Sequence, residues 1–365
     1  MSTIDEQIIN IEKEIRETPY HKATEHHIGK LRARLSKLKD KGRESSTKKG
    51  GGGGGYAVKK QGDATIILIG PPSSGKSTLL NKLTNAKSKV APYAFTTVSV
   101  IPGMMEYKNA KIQILDVPGL IEGAEEGKGR GKEVLSVARG ADLIILITDF
   151  ERLPALERIS KTLERNGIRL NLQSPQVVID KKLDGGILVR SNIRQDLSKQ
   201  TIKEIASEMG IKNAEITLNE RVGFDRLIDA FSTNRVYLPS FCLINKSDLA
   251  DSNTLKTCCT DDSNHQYRLA ISAEKGYGLD KLKEKIWEYL NFISVYLVQN
   301  DEEPNNNHPL IVKRGITLSE ITDLIGSDFA ETKKSAKIWG SSAKYPGQEV
   351  SLSTKAVNGM QIRFV

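Results

Sequence analysis

Ile4, Ile8, Ile11 and Ile15 recur at spacings of four, three and four, which places them on one face of a helix. Pro19 interrupts the stripe, and a second one follows at Ile28, Leu31, Leu35 and Leu38, so the pattern predicts an antiparallel helical hairpin. From about Ala64 the pattern changes. Short apolar runs at Thr65–Ile69, Lys111–Leu115, Leu143–Thr148, Phe241–Ile244 and Arg268–Ile271 read as buried strands, and Pro154–Arg165 and Leu279–Tyr289 read as helices. This is an α/β domain. Residues 168–235 interrupt its alternation with short strands at Val177–Ile179 and Ile187–Val189 joined by Asp184-Gly185-Gly186, a helix at Lys199–Met209, a strand at Ala214–Leu218 and a helix near Phe224–Phe231. That segment reads as an inserted α+β domain. After Phe292 a mostly β module follows, with strands at Ser294–Val298 and Leu310–Val312, a helix at Leu318–Ile325 and a final run Gln361–Val365.

The length of 365 residues fits two or three domains. The pattern divides them into a hairpin and linker (1–60), an α/β domain (61–292, interrupted by 168–235) and a C-terminal domain (293–365). A net charge of +9 points to a polyanionic partner, with nucleic acid ahead of membrane. Lys30, Arg32, Arg34, Lys37, Lys39 and Lys41 surround the second stripe with few acidic residues nearby, which predicts a one-signed face able to touch phosphates. Lys48, Lys49 and the run Gly50 to Gly55 read as a flexible linker that would let this arm move. The three cysteines, Cys242, Cys258 and Cys259, form neither a disulfide framework nor a zinc site and fit a reducing cytoplasm. The polar, acidic start is no secretory signal, and the aliphatic runs fall far short of the ~20 residues that span a bilayer, so no membrane association is expected.

Gly70-Pro71-Pro72-Ser73-Ser74-Gly75-Lys76-Ser77, followed by Thr78, fits G-x-x-x-x-G-K-[ST] between a predicted strand and a predicted helix. Such a loop turns backbone N–H groups and a helix N-terminus toward phosphate. Lys76 would contact the β- and γ-phosphates, and Ser77 would ligate Mg²⁺. Asp116-Val117-Pro118-Gly119 follows another strand: the carboxylate can hold the Mg²⁺ shell, and the N–H of Gly119 can sense the γ-phosphate. Between them lies Phe95-Thr96-Thr97-Val98, where Thr97 is favoured as a further Mg²⁺ ligand and γ-phosphate reader over an ordinary strand position. Asn245-Lys246-Ser247-Asp248 ends a strand. Guanine presents two adjacent donors that the Asp248 carboxylate can accept, whereas adenine would leave it unpaired. Asn245 can brace the loop, and the backbone of Ser272-Ala273 can close over the base. Together these motifs predict GTP or GDP as ligand. The glycine-rich, charged stretch from Gly119 to Gly131 reads as a switch that orders on the γ-phosphate.

The ordered set GPPSSGKS, FTT, DVPGLIEGA, NKSD and SA resembles the Obg-related translation-factor GTPases, and more narrowly the developmentally regulated GTP-binding (DRG) proteins. The segment Asn171 to Arg235, with Asn234-Arg235-Val236-Tyr237, is similar to that family's inserted domain, and His21-Lys22-Ala23-Thr24-Glu25 to its leader. Pro309 to Arg314 and Lys337-Ile338-Trp339-Gly340-Ser341-Ser342 resemble its TGS domain, a small β-grasp module. The resemblance covers essentially the whole chain. It implies a P-loop G domain, GTP hydrolysis with Mg²⁺, and a switch acting in translation on ribosomes or RNA. Two departures matter. Leu120 stands where a water-orienting glutamine would follow Gly119, so slow hydrolysis, or help from a regulatory protein partner, is expected. Ser73 stands where some relatives have an asparagine that supports K⁺, which leaves K⁺ stimulation open. A monomer is expected. An alternative stays open: an RNA- or ribosome-binding assembly protein in which GTP is mainly structural. An ATPase is disfavoured by Asp248.

Overall fold

A computed structural model describes residues 3–44, 62–84, 91–92, 99–117, 137–251, 255, 267–299, 302–340 and 342–365. The expectations for Thr97, Gly119, Leu120, the glycine run and the 119–131 switch fall outside these residues. The described chain divides into two compact units, one drawn from residues 1–55 and 172–237, the other from 56–171 and 238–365.

The hairpin forms as its stripes predict. Helix α1 (Ile4–Glu17) starts on a reciprocal cap between Thr3 and Glu6, and α2 (Glu25–Glu44) packs against it. In the second unit, β1 (Ala64–Ile69) is buried along its whole length, and α3 (Lys76–Leu83) follows it. Next come β2 (Ala91–Pro92), β3 (Ser99–Tyr107), β4 (Ala110–Asp116), β5 (Leu143–Asp149), α4 (Pro154–Arg165) and β6 (Ile168–Leu170).

The inserted segment holds β7 (Val177–Lys181), β8 (Ile187–Ser191), α5 (Lys199–Glu208), β9 (Ala214–Leu218) and α6 (Phe224–Phe231). Its sheet has the order β7-β9-β8, and one face carries a core of Val189, Ile202, Ile205, Ile216, Leu218 and Leu227. Ala33 of α2 belongs to the same core and is fully buried. The hairpin is therefore not an independent arm: α2 lies on α5 and α6 within one unit.

This packing corrects the expected one-signed face. Lys30 pairs with Glu204 (3.1 Å), Arg32 with Asp225 (3.1 Å), Arg34 with Glu208 (3.3 Å) and Lys39 with Glu12 (2.7 Å), while Lys37 Nζ donates to the Glu208 carbonyl at 2.9 Å. The acidic partners come from distant sequence, so a local window sees only the cations. Two buried ions fix the joint. Glu25 accepts from Lys22 Nζ (2.5 Å), the Ser198 N–H (2.8 Å) and the Thr201 hydroxyl (2.7 Å). Burial opposes its ionisation, but these donors outweigh it and hold its carboxyl down at about 2. Arg235 reaches Asp229 (2.9 Å), Asp40 (3.2 Å) and the Ser36 hydroxyl (2.7 Å), binding α2 to the end of α6. Glu25 of the leader motif and Arg235 of the Asn234-Arg235 motif thus both tie α2 to the inserted segment.

After β10 (Val236–Leu238) the chain re-enters the α/β domain with β11 (Ser240–Asn245), β12 (Arg268–Ala270) and α7 (Leu279–Tyr289). The large sheet runs β12-β11-β5-β1-β4-β3-β2, parallel from β12 to β4 and antiparallel beyond. All five parallel strands end at one edge, where loops after parallel strands form ligand clefts. The C-terminal domain comprises β13 (Phe292–Leu297), β14 (Pro309–Lys313), α8 (Leu318–Ile325), α9 (Ser327–Thr332), β15 (Ser335–Trp339), β16 (Gln348–Ser351) and β17 (Gln361–Phe364). Its sheet order is β14-β13-β17-β15-β16, with Leu318 and Ile321 of α8 buried against Val295, Ile338 and Ile362. Phe292 joins the α/β core instead, and Lys313 reaches Asp142 at 3.3 Å.

Candidate functional site

The loop after β1 is made by close approach. A Cβ on Gly70 would lie 2.0 Å from the Ile147 carbonyl oxygen, and one on Gly75, at φ +89°, would lie 2.1 Å from Asn245 Nδ2. Only glycine fits at these two positions. Between them the carbonyls accept from side chains. Lys76 Nζ donates to Gly70 O and Pro71 O, both at 2.9 Å; Arg152 Nη1 donates to Pro72 O at 2.5 Å; Asn245 Nδ2 donates to Ser74 O at 2.9 Å. Carbonyls occupied by side-chain donors are kept from opposing an anion, and the helix N-terminus that follows the loop supplies N–H groups of the polarity an anion needs. Ser73, Ser77 and Thr78 are exposed at this mouth.

Ser77 Oγ donates to Asp116 Oδ2 at 2.6 Å, so the two candidate Mg²⁺ ligands meet. Asp116 is buried, and its Oδ1 has no hydrogen-bond partner. A buried carboxylate oxygen without a donor, beside a hydroxyl, fits a hard divalent cation. Among the described residues no group of three or more His, Cys, Asp or Glu is placed to hold a metal, and a Mg²⁺ shared with phosphates needs none.

Asn245 is the hinge pin of the site. Besides gripping Ser74, its Oδ1 accepts the Ala273 N–H at 2.9 Å, so one buried amide joins the phosphate loop to the loop of Ser272 and Ala273. Lys246 sits at φ +60°, and Ser247 N–H bonds the Ile271 carbonyl at 3.0 Å, which leaves Asp248 exposed at the end of the turn. A hydrogen bond from Ser272 holds the Asp248 carboxyl below its usual range, so it is an anion at neutral pH.

A further ionic group lies between these loops. Asp149, at the end of β5 and buried, accepts Arg152 Nε (3.2 Å), Arg152 Nη2 (2.5 Å) and Lys246 Nζ (3.1 Å). Arg152, helped by Lys246, overcomes the burial cost and holds Asp149 down at about 2.

Residues 65–181 match the MMR_HSR1 family, described as 50S ribosome-binding GTPases, and residues 184–292 match the C-terminal region of that domain. Over 359 residues the chain is 48% identical to an uncharacterized GTP-binding protein of Methanocaldococcus jannaschii, covering 98% of this chain and 91% of that one. It is 42% identical to Developmentally-regulated G-protein 3 of Arabidopsis thaliana, covering 96% and 95%. It is 38% identical to Developmentally-regulated GTP-binding protein 2 of Homo sapiens, covering 95% of each chain. The chain belongs to the developmentally regulated GTP-binding proteins. As a DRG-family member it is a GTP-binding protein built on a P-loop GTPase domain. No helix among its described residues is long and apolar enough to cross a membrane.

The structure brings together the phosphate loop, Asp116, Asn245, Lys246, Ser272 and Ala273 along one sheet edge, with Asp248 at its rim. Reading the DRG sequence by motif passed over Asp149 and Arg152. The signal was present: Asp149, like Asp116, is a carboxylate at the carboxyl end of a buried strand, with an arginine three positions on.

Proposed function

We propose that this DRG-family protein hydrolyses GTP to GDP and phosphate, and that the nucleotide state switches its attachment to ribosomes or ribosome-associated RNA in the cytoplasm. The observation that carries the reading is Asn245, whose single amide holds the phosphate loop and the base-side loop together as one preformed cleft. Preformed N–H donors stabilise charge on the transferred phosphoryl group without reorganising. Lys76, now on the carbonyls of Gly70 and Pro71, has a stronger partner in the β- and γ-phosphates, because a charged acceptor outcompetes a neutral one. Ser77 and Asp116 would hold Mg²⁺, with Thr97 completing the set; when bound, the ion supplies positive charge against phosphate oxygens. The N–H of Gly119 is our candidate γ-phosphate sensor. Leu120 cannot orient water, so turnover without a partner protein should lie near ~10⁻⁴–10⁻² s⁻¹ rather than ~10 s⁻¹.

The description of the matching family and the net charge of +9 support a ribosomal or RNA partner. We read the C-terminal domain as a TGS docking module. The α2 stripe is a poor place for the contact, since its cations already serve Glu204, Asp225, Glu208 and Glu12. Two measurements test the proposal. Single-turnover hydrolysis in Na⁺ and in K⁺ reads the slow rate and the role of Ser73. Ribosome co-sedimentation with GDP against a non-hydrolysable GTP analogue reads the switch. Equal binding in both nucleotide states would favour the assembly protein with structural GTP.

A further inference from the structure

The P-loop carbonyls are gripped by three different side chains, and one of them lies outside every nucleotide motif. Arg152 follows β5 and uses all three guanidinium nitrogens: Nε and Nη2 lie on the Asp149 carboxylate, and Nη1 lies on Pro72 O. Asp149 is nine-tenths buried or more and also receives Lys246 Nζ, the lysine beside the base-reading turn. Pro71 and Pro72 have no N–H to donate, and the Ser74 N–H reaches the Pro71 carbonyl only at 3.4 Å, so the Arg152 bond to Pro72 O adds a side-chain hold to this half of the loop.

We infer that Arg152 is a positioning residue, a latch that holds the outer half of the phosphate loop and, through Asp149, couples it to the Lys246 turn. The inference rests on the nucleotide site read above. A planar fork is the group for this task, because it bonds a carboxylate with two nitrogens and still presents a third. The latch bonds phosphate-loop backbone and Asp149 rather than Asp248, so it should set how long the phosphates are held and leave guanine recognition alone. Asn245 grips the same loop two residues further on and ties it to the other wall of the cleft.

The experiment uses the full chain and follows release of mant-GDP by stopped flow, with the affinity ratio of GDP to IDP as the second readout and melting of nucleotide-free protein as the third. Arg152→Ala should speed release roughly tenfold to a hundredfold, the scale of a charged hydrogen bond lost at a ligand loop. The GDP/IDP ratio should hold. Arg152→Lys should fall between, since one ammonium keeps the Asp149 charge pair but not both contacts. Asp149→Asn should release at least as fast as Arg152→Ala. Unchanged release in Arg152→Ala, with tight wild-type binding, overturns the latch. So does faster release that Arg152→Lys fails to ease and that tracks an equal loss of melting temperature, which marks a structural role only. A wild-type chain that binds no mant-GDP overturns the site reading instead.

Discussion

At the carboxyl edge of the large sheet, Asp149, Arg152 and Lys246 form an ion cluster whose members hang on neighbouring strands, β5 and β11. In the hairpin unit, Glu25 and Arg235 are buried just as firmly, yet they join segments 173 and 195 residues apart. The first cluster shapes loops around a place for a ligand. The second replaces part of an apolar helix interface and faces no cleft that the motifs describe. Buried charge alone therefore does not mark function: what distinguishes the nucleotide site is that its ions bind backbone carbonyls of a glycine-bounded loop and leave oxygens such as Asp116 Oδ1 open.

The largest separation of the two regions should come from Asp248→Asn. Exchanging the carboxylate for an amide removes one acceptor and opposes a guanine donor with an N–H. GTP affinity should fall roughly 10²–10³-fold, and xanthosine triphosphate should gain. Hydrogen exchange at α2 should not change. A variant that binds GTP like wild type would remove Asp248 from the base site.

The converse change is Arg235→Ala. It removes the guanidinium that Asp229 and Asp40 share, and breaking such a buried pair costs about 3–5 kcal/mol. Both tryptophans, Trp287 and Trp339, belong to the other unit. Amide exchange in α2, α5 and α6 should accelerate while tryptophan fluorescence and nucleotide affinity stay close to wild type. Loss of nucleotide binding in step with α2 exchange would show that the two regions are one energetic system.

Glu25 gives a pH test. Its folded pKa of about 2 lies below its ordinary value of 4.5, so its contribution is complete above about 4.5 and is lost as pH falls through about 2. The shift corresponds to a stability on the order of 3 kcal/mol. Glu25→Gln should lower stability of the hairpin unit at neutral pH and flatten its dependence between pH 5 and 2. Asp149 is depressed in the same direction, so acid loosens both regions of the wild type, and only the variant separates them.

What the sequence made legible follows the same division. Helices at Pro154–Arg165, Phe224–Phe231, Leu279–Tyr289 and Leu318–Ile325 were readable because each has a clear stripe, and Pro154, Gly223, Gly278 and Thr317 punctuate their starts. The phosphate loop, Asp116 and Asn245 were readable because their chemistry is local in sequence. Strand β3 was not, since Pro102 and Gly103 look like a turn. In the fold Gly103 lets Thr84 pack within what would be 2.7 Å of a Cβ, and Pro102 lies in a strand paired with β4. The partners of the basic helix were not readable either, because Glu204, Glu208 and Asp225 lie some 170 or more residues further along the chain and no window joins them.

The smallest expected effect bears on that last point. Lys37→Gln with Lys39→Gln removes one bond to the Glu208 carbonyl and one half-exposed pair with Glu12. Exposed pairs contribute ~0.2–1 kcal/mol, so the double variant should cost the hairpin unit no more than about 2 kcal/mol. If these lysines instead spent their charge on RNA phosphates, each lost contact would lower the log–log salt slope of binding by ~0.7–0.9, or by ~1.4–1.8 for the pair. Lysines bonded within the unit do not reach phosphates and so displace no counterions from them, and the slope should stay at its wild-type value while α2 exchanges slightly faster. Measured with ribosomes or structured RNA over a salt series, a flattened slope with unchanged α2 exchange would mean that the pairs open for phosphate and that the hairpin, like the nucleotide site, is built for a ligand.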